Sequence, residues 1–325
     1  MPGKENYALA GKRVWVAGHR GLVGSALVRR LAAEDCEILT APRQQVDLRS
    51  REQVDRWMRE TRPQAVFVAA AKVGGIYAND TKPAEFIYDN LMIEANIIDA
   101  AHRCDVEKLT FLGSSCVYPR MAPQPIPESA LLSGPLEPTN QWYAVAKIAG
   151  IKLAQAYRYQ YGRNFISVMP SNLYGPGDNF DLMGSHVIPA LIAKFHRAIE
   201  ERADAVEIWG TGSPLREFLF VDDAADGIVH AMKHYSDEDI INLGSGREVT
   251  IRELAETVGR VTGFHGELVF DQSKPDGTPR KVVDVSRLRG LGWQAQTSLE
   301  DGLRQTYQWY IENIASHREP SVAHA

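Results

Sequence analysis

Tyr143 and Lys147 stand four residues apart in Tyr143-Ala144-Val145-Ala146-Lys147, a spacing that puts a phenol and an ammonium on one face of a helix. A positive neighbour lowers a phenol's pKa, so the pair can exchange a proton with a carbonyl oxygen near neutrality. Ser114, followed by Ser115 at the end of an apolar run, adds a hydroxyl partner for that oxygen. Upstream, Gly18, Gly21 and Gly24 recur three apart around Leu22 and Val23. Glycines so placed between a strand and a helix let the backbone approach a pyrophosphate and present helix N-terminal amides to it. Together these groups suit hydride transfer from a dinucleotide to a carbonyl.

The kind of dinucleotide is read after the second strand. Residues 37–40 end without the Asp or Glu that would hydrogen-bond a ribose 2′-hydroxyl, and Arg43 follows. With Arg20 inside the glycine turn, this favours NADP(H), because a guanidinium suits a 2′-phosphate. Asp47 has two readings, a helix N-cap or a cofactor contact. Ala69, Ala70 and Ala71 offer small side chains beside the cofactor.

The elements that must hold these residues alternate. Short apolar runs at 14–17, 37–40, 65–69, 108–112 and 165–169 are separated by segments long enough for crossover helices, the first at 22–31. Such alternation predicts an α/β fold with a doubly wound, Rossmann-type parallel sheet. Prolines crowd 119–138, which marks a surface loop that could act as a lid. Beyond Gly177 the pattern loosens into helical 185–199, a strand at 206–209, helical 224–234, a strand at 240–243 and a helix from Ile251. We expect a cofactor domain at 11–178 that also takes in 217–246. A smaller, partly interleaved C-terminal lobe for substrate is expected at 179–216 and 247–316.

Composition sets outer limits. The 325 residues carry a formal charge of −5, so no basic field invites nucleic acid, and an anionic ligand must be met by individual Arg and Lys. Three cysteines without paired spacing suggest neither a disulfide framework nor a zinc site, and no metal is expected. Residues 1–12 hold no apolar core of signal-peptide length, and no stretch of about 18 apolar residues occurs. A cytoplasmic location, with no membrane partner, is the expectation.

The glycine turn, Ser114, Tyr143 and Lys147, in this order and spacing, resemble the extended short-chain dehydrogenase/reductase family. Asn172-Leu173-Tyr174-Gly175-Pro176, Arg216-Glu217-Phe218 and Val221-Asp222-Asp223 resemble its later motifs, so the similarity spans 11–313. The runs AGHRGLVG (17–24), AAAKVGGI (69–76), GSSCVYP (113–119), YGPGDNF (174–180) and KPDGTPRK (274–281) resemble the branch that acts on GDP-4-keto-6-deoxy-D-mannose. The resemblance implies epimerisation at carbons 3 and 5, then NADPH reduction of the carbon 4 ketone. Its catalytic set would be Ser114, Cys116, Tyr143, Lys147 and His186. Cys116 and His186 match the additional acid–base pair, needed because both epimerised carbons lie alpha to the ketone. In an extended chain Cys116 would point the same way as Ser114.

The cofactor contacts so implied are Gly18, Arg20, Gly21, Leu22, Val23, Gly24, Arg43, Asp47 at the adenine, Ala70, Leu112, Gly113, Tyr143, Lys147, Pro170, Asn172, Leu173 and His186. Ser114, Asn172, Lys194, Trp209, Arg216 and Lys281 would meet the substrate, Arg216 and Lys281 at the diphosphate. Trp209 reads equally as a sugar or base platform and as core. Lys194 stands where the resemblance leads us to expect Arg, and supplies a point charge without a planar fork. Helices at 86–104 and 143–161 correspond to those that pair across a four-helix homodimer interface. A UDP-sugar 4-epimerase or 4,6-dehydratase is the nearest rival, opposed by Arg43 and Cys116. A non-enzymatic NADP sensor would have no need of both Tyr143 and Lys147.

Overall fold

A computed structural model describes residues 6–181, 184–274 and 276–314. The chain begins with β1 (Arg13–Ala17), α1 (Leu22–Leu31), β2 (Glu37–Leu39), α2 (Arg51–Thr61), β3 (Ala65–Val68), α3 (Ile76–Thr81), α4 (Pro83–Arg103) and β4 (Lys108–Leu112). It continues through α5 (Gln141–Tyr161), β5 (Asn164–Pro170), β6 (Asn172–Tyr174), α6 (Val187–Glu200), β7 (Ala205–Trp209), β8 (Leu215–Phe220) and α7 (Val221–His234). The last elements are β9 (Ile241–Leu243), β10 (Glu248–Thr250), α8 (Ile251–Thr262), β11 (Glu267–Asp271), β12 (Arg280–Lys281), α9 (Ser286–Gly290) and α10 (Leu299–Asn313).

Every residue of β3 and β4 is buried, as strands covered by helices on both faces require. Alternate residues divide between two cores. Trp15, Ala17, Val66, Val68, Leu109 and Phe111 pack with Ile97, Ile98 and Ile151 of α4 and α5. Val14, Val16, Ala65, Phe67, Ile166 and Val168 pack with Leu27 and Leu31 of α1 and Ile228 and Val229 of α7. The resulting six-stranded parallel sheet has the order β2-β1-β3-β4-β5-β9. The chain reverses its direction of travel across the sheet at β1, so the C-terminal ends of β1 and β3 form the switch point at which such sheets take ligands.

The smaller lobe has its own core, in which Phe195, Val206, Ile208, Leu254, Val258, Leu303 and Tyr310 meet. Strand β8 joins antiparallel β10 and parallel β6 and β12, while β7 pairs with β11. After β8 the chain returns to the large sheet, where α7 packs against its helix face and β9 adds to its edge. A second return falls inside the 247–316 span expected to belong to the substrate lobe. Val283 and Val285 enter one large-sheet core, and Leu288 and Trp293 the other. Buried Glu217 accepts from Val283 N at 3.0 Å, and Asp226 accepts from Trp293 Nε1 at 2.9 Å, which fixes this crossing. Residues 315 and 316 of that expected span lie outside the described residues, as do residues 1–5 of the N-terminal stretch.

The proline-rich segment differs from a surface lid. Tyr118, Ala122, Ile126 and Ala130 are buried in the large-sheet core. Ile126 N donates to Val282 O at 2.8 Å and Asp284 N donates to Ile126 O at 2.9 Å, so the segment is tied down as a near-strand. Prolines exclude a long helix there, but they do not prevent buried apolar anchors between them.

Candidate active site

The glycine turn closes the end of β1. Gly18 has φ +89°, in the left-handed region that favours glycine, and a Cβ on it would lie 2.6 Å from the Ala70 Cα at the end of β3. A Cβ on Gly24 would run into the Gly18 carbonyl, whereas one on Gly21 would be 3.5 Å from it. Gly18 and Gly24 are thus required by the packing of strand, turn and helix, and Gly21 is open. Helix α1 follows Gly21 with no side-chain cap, which leaves its first amides to an outside acceptor. This cradle fits a pyrophosphate.

Beyond β2, Arg43 has 70% of its side chain exposed and lies 3.9 Å from Asp47, and Arg20 is exposed in the turn. Asp47 does not cap α2; Ser50 does, accepting from Gln53 N. Both Asp47 oxygens are taken by Arg49, at 3.0 Å from Nε and 2.7 Å from Nη2, which holds this carboxyl down at about 2. Leu112 ends β4 with Gly113 directly after it, and Pro170 ends β5. Asn172 and Leu173 begin β6, and Asn172 Nδ2 donates to Glu217 O at 2.8 Å.

Ser114, the next residue, caps a single 3-10 turn at Ser115–Val117, its Oγ accepting from Cys116 N at 3.2 Å. The tight turn, rather than the extended chain expected from the sequence, places Cys116 beside Ser114. Ser114 also stands close enough to the Tyr143 phenol to favour its ionised form. Solvent reaches part of Tyr143, yet protein surrounds its hydroxyl, and this burial pushes the phenol far above its usual range. Cys116 and Glu94 push it further, and Ser114 opposes them.

The expected lowering by Lys147 is therefore not what the geometry delivers. Lys147 Nζ sits 2.9 Å from Glu94 on α4, both side chains only 2% exposed, and 5.9 Å from the Tyr143 ring centroid. Its charge is compensated before it reaches the phenol. Burial raises the Glu94 pKa and Lys147 opposes that rise. Gly150 admits the pair: a Cβ there would fall 2.6 Å from Glu94 Oε2. The sequence reading missed Glu94, although an acid amid Leu91, Met92, Ile93, Ile97 and Ile98 is the signal of a buried partner.

Cys116 Sγ receives Asn140 Nδ2 at 3.5 Å and Lys281 Nζ at 3.8 Å. Asn140, just before α5, was also missed. His186 precedes α6 at the rim of this region. The residue is exposed, yet the protein packed around its ring, and secondarily the charge of Lys281, lowers its pKa. In the small lobe Arg216 donates to the Leu215 carbonyl at 2.9 Å and approaches that of Asp276 at 3.5 Å, and burial lowers its pKa against the pull of Asp276. Trp209 is 56% exposed, which removes it from the core. Lys194 Nζ lies 5.0 Å and Lys274 Nζ 5.7 Å from its ring. Pro275, inside the run 274–281, lies outside the described residues.

A dinucleotide cradle with serine, tyrosine and lysine beside it defines an oxidoreductase of the extended short-chain dehydrogenase/reductase class. The chain belongs to the NAD dependent epimerase/dehydratase family, whose model matches residues 14–244. It is 58% identical to GDP-L-fucose synthase of Sinorhizobium fredii over 311 residues, covering 96% of this chain and 99% of the relative. It is 54% identical to GDP-L-fucose synthase of Escherichia coli (strain K12), covering 93% and 97%. A solved GDP-L-fucose synthetase from Naegleria fowleri bound to NADP superposes with a TM-score of 0.89 at 31% identity, covering 98% of each chain.

Proposed function

We propose that this enzyme converts GDP-4-keto-6-deoxy-D-mannose to GDP-L-fucose, inverting carbons 3 and 5 and then reducing the carbon 4 ketone with NADPH. The observation that carries this reading is that one tight turn sets Cys116 beside Ser114, whose Oγ accepts from the Cys116 backbone N, while both residues act on the Tyr143 phenol, so two different proton-handling groups stand at one place. Full-length similarity to the fucose synthases supports it.

NADP(H) is the cofactor, and when bound it supplies the hydride for carbon 4. Gly18, Gly21 and Gly24 with the first amides of α1, including Leu22 and Val23, would hold its pyrophosphate. Arg20 and Arg43 would meet the 2′-phosphate, and Asp47 and Ala70 would flank the adenine half. Leu112, Gly113, Pro170, Asn172, Leu173 and His186 would meet the nicotinamide half, and Lys147 would hold its ribose. In the smaller lobe Arg216 would take the diphosphate, and Trp209 with Lys194 the base or sugar.

The chemistry divides by atom. Ser114 and Tyr143 donate to the oxygen on carbon 4, which carries negative charge whenever a proton leaves carbon 3 or 5. Cys116 and His186 remove and return those protons. Tyr143 then gives its proton to the same oxygen during reduction, and burial keeps it protonated for that task.

Outward faces of α4 and α5 expose Tyr88, Trp142, Val145 and Tyr159, which suits a homodimer formed by packing these helices against a second copy. No helix among the described residues is long and apolar enough to cross a membrane. Free Cys36, Cys104 and Cys116 suit a reducing cytoplasm.

Cys116→Ser tests the assignment. Without NADPH, wild-type enzyme in heavy water should place deuterium at carbons 3 and 5, and the variant should do so about 10² to 10⁴-fold more slowly. Exchange at the wild-type rate would make Cys116 structural.

A further inference from the structure

Lys281 lies on β12, in register with Arg216 on β8, so the two share a face of the small sheet. Its ammonium nevertheless points at Cys116, 3.8 Å from Sγ, and Asn140 Nδ2 reaches the same sulfur at 3.5 Å. The Asn140 side chain does not cap α5, and its Oδ1 is buried with no hydrogen-bond partner among the described residues. That amide is held for the thiol rather than for its own helix. A sulfur met by an ammonium and an amide N–H faces two donors, an arrangement that serves the anionic form.

The titratable neighbours agree with that charge pattern. Tyr143, on α5, is electrostatically coupled to Cys116 and kept protonated by burial, so it adds no second anion. His186, ahead of α6, is pushed toward its neutral form by burial and by Lys281. One ammonium therefore bears on both members of the acid–base pair, favouring negative charge on Cys116 and disfavouring positive charge on His186.

We propose that Lys281, assisted by Asn140, is the positioning residue that keeps Cys116 as a thiolate ready to take a proton from the carbon beside the ketone. The proposal rests on the role given to Cys116 above. In the step it prepares, the sulfur lone pair bonds the departing proton to form S–H. The C–H electron pair becomes the enolate double bond, and the carbonyl π pair moves onto the oxygen held by Ser114 and Tyr143. Charge passes from sulfur to oxygen, and no redox partner is needed.

Iodoacetamide labelling of the full-length free enzyme, read peptide by peptide by mass spectrometry, tests this without cofactor or substrate. Lys281→Met removes the charge and keeps most of the stem, Lys281→Gln is a second neutral variant, and Lys281→Arg restores the charge. Near about pH 7, the neutral variants should label Cys116 on the order of 10-fold more slowly than wild type, with the rates converging toward about pH 10. Lys281→Arg should stay within about 3-fold, since its cation is permanent. Labelling of Cys36 and Cys104 should not change, which also reports that the fold is kept. Equal Cys116 rates in wild type and both neutral variants would overturn the proposal and return Lys281 to the diphosphate. Slower labelling combined with undiminished deuterium exchange in Cys116→Ser would instead overturn the catalytic reading of Cys116, while leaving the contact with Lys281 in place.

Discussion

Tyr143 holds its proton because protein, not water, surrounds the phenol, and Lys147 does not reverse this because Glu94 already faces it. An acid poised in this way can protonate an alkoxide without first competing with solvent. Asp178 shows the same physics at a position with no assigned chemistry. Burial raises its carboxyl to about 7, one oxygen accepts from Asn179 N at 2.8 Å, and the other is buried without a partner among the described residues. In the unfolded chain the group ionises near about 3.9, so between that pH and about 7 the folded protein keeps a proton that the unfolded chain has released. Stability due to this group falls as pH rises through that window, and the whole cost is present above it. Asp178→Asn should therefore stabilise the protein at about pH 8 by on the order of 1–3 kcal/mol and have little effect at about pH 4, as read by urea unfolding. An equal effect at both pH values would show that Asp178 ionises normally. Tyr143, Lys147 and Ser114 were legible in the sequence because local spacing carries their message. Glu94 and Asn140 were not, because their partners come from other elements and only the packing of α4 against α5, or a turn after β4, brings them near.

Among the elements, the turn from β1 into α1 is the most exacting, and it separates glycines that the fold needs from the one a ligand needs. Gly24→Ala puts a methyl against the Gly18 backbone and should cost on the order of 2 kcal/mol or more in thermal or urea unfolding. Gly21→Ala leaves φ at an ordinary −76° and meets only a normal contact, so it should keep wild-type stability while weakening NADPH binding by about 10-fold or more. Unaltered NADPH affinity in Gly21→Ala would remove the pyrophosphate from this turn. The sequence located α1 and β4 residue for residue, since apolar periodicity and glycine boundaries are local signals. It read the 119–138 segment as a surface loop because proline density masks apolar anchors such as Ile126 and Ala130. The 3-10 turn after Ser114 was likewise hidden, being one tight turn with no periodicity to detect.

For the whole molecule, the chain passes between its lobes more than once, and Glu217 and Asp226 pin those crossings through Val283 and Trp293. The return at 282–295 could not be read from the sequence, because nothing local distinguishes apolar residues bound for one core from those bound for another. The crossings tie the lobe carrying Arg216 and Lys281 to the sheet carrying Ser114 and Cys116, so the residues proposed for the nucleotide and for the reacting ring belong to one framework. The central claim is that this framework both inverts and reduces. The most direct measurement is incubation of the full-length enzyme with GDP-4-keto-6-deoxy-D-mannose and NADPH in heavy water, with the product identified by NMR. The expected product is GDP-L-fucose, inverted and deuterated at carbons 3 and 5 with NADPH consumed; a reduced GDP-6-deoxyhexose that keeps the original configuration and its hydrogens at both carbons would contradict the account.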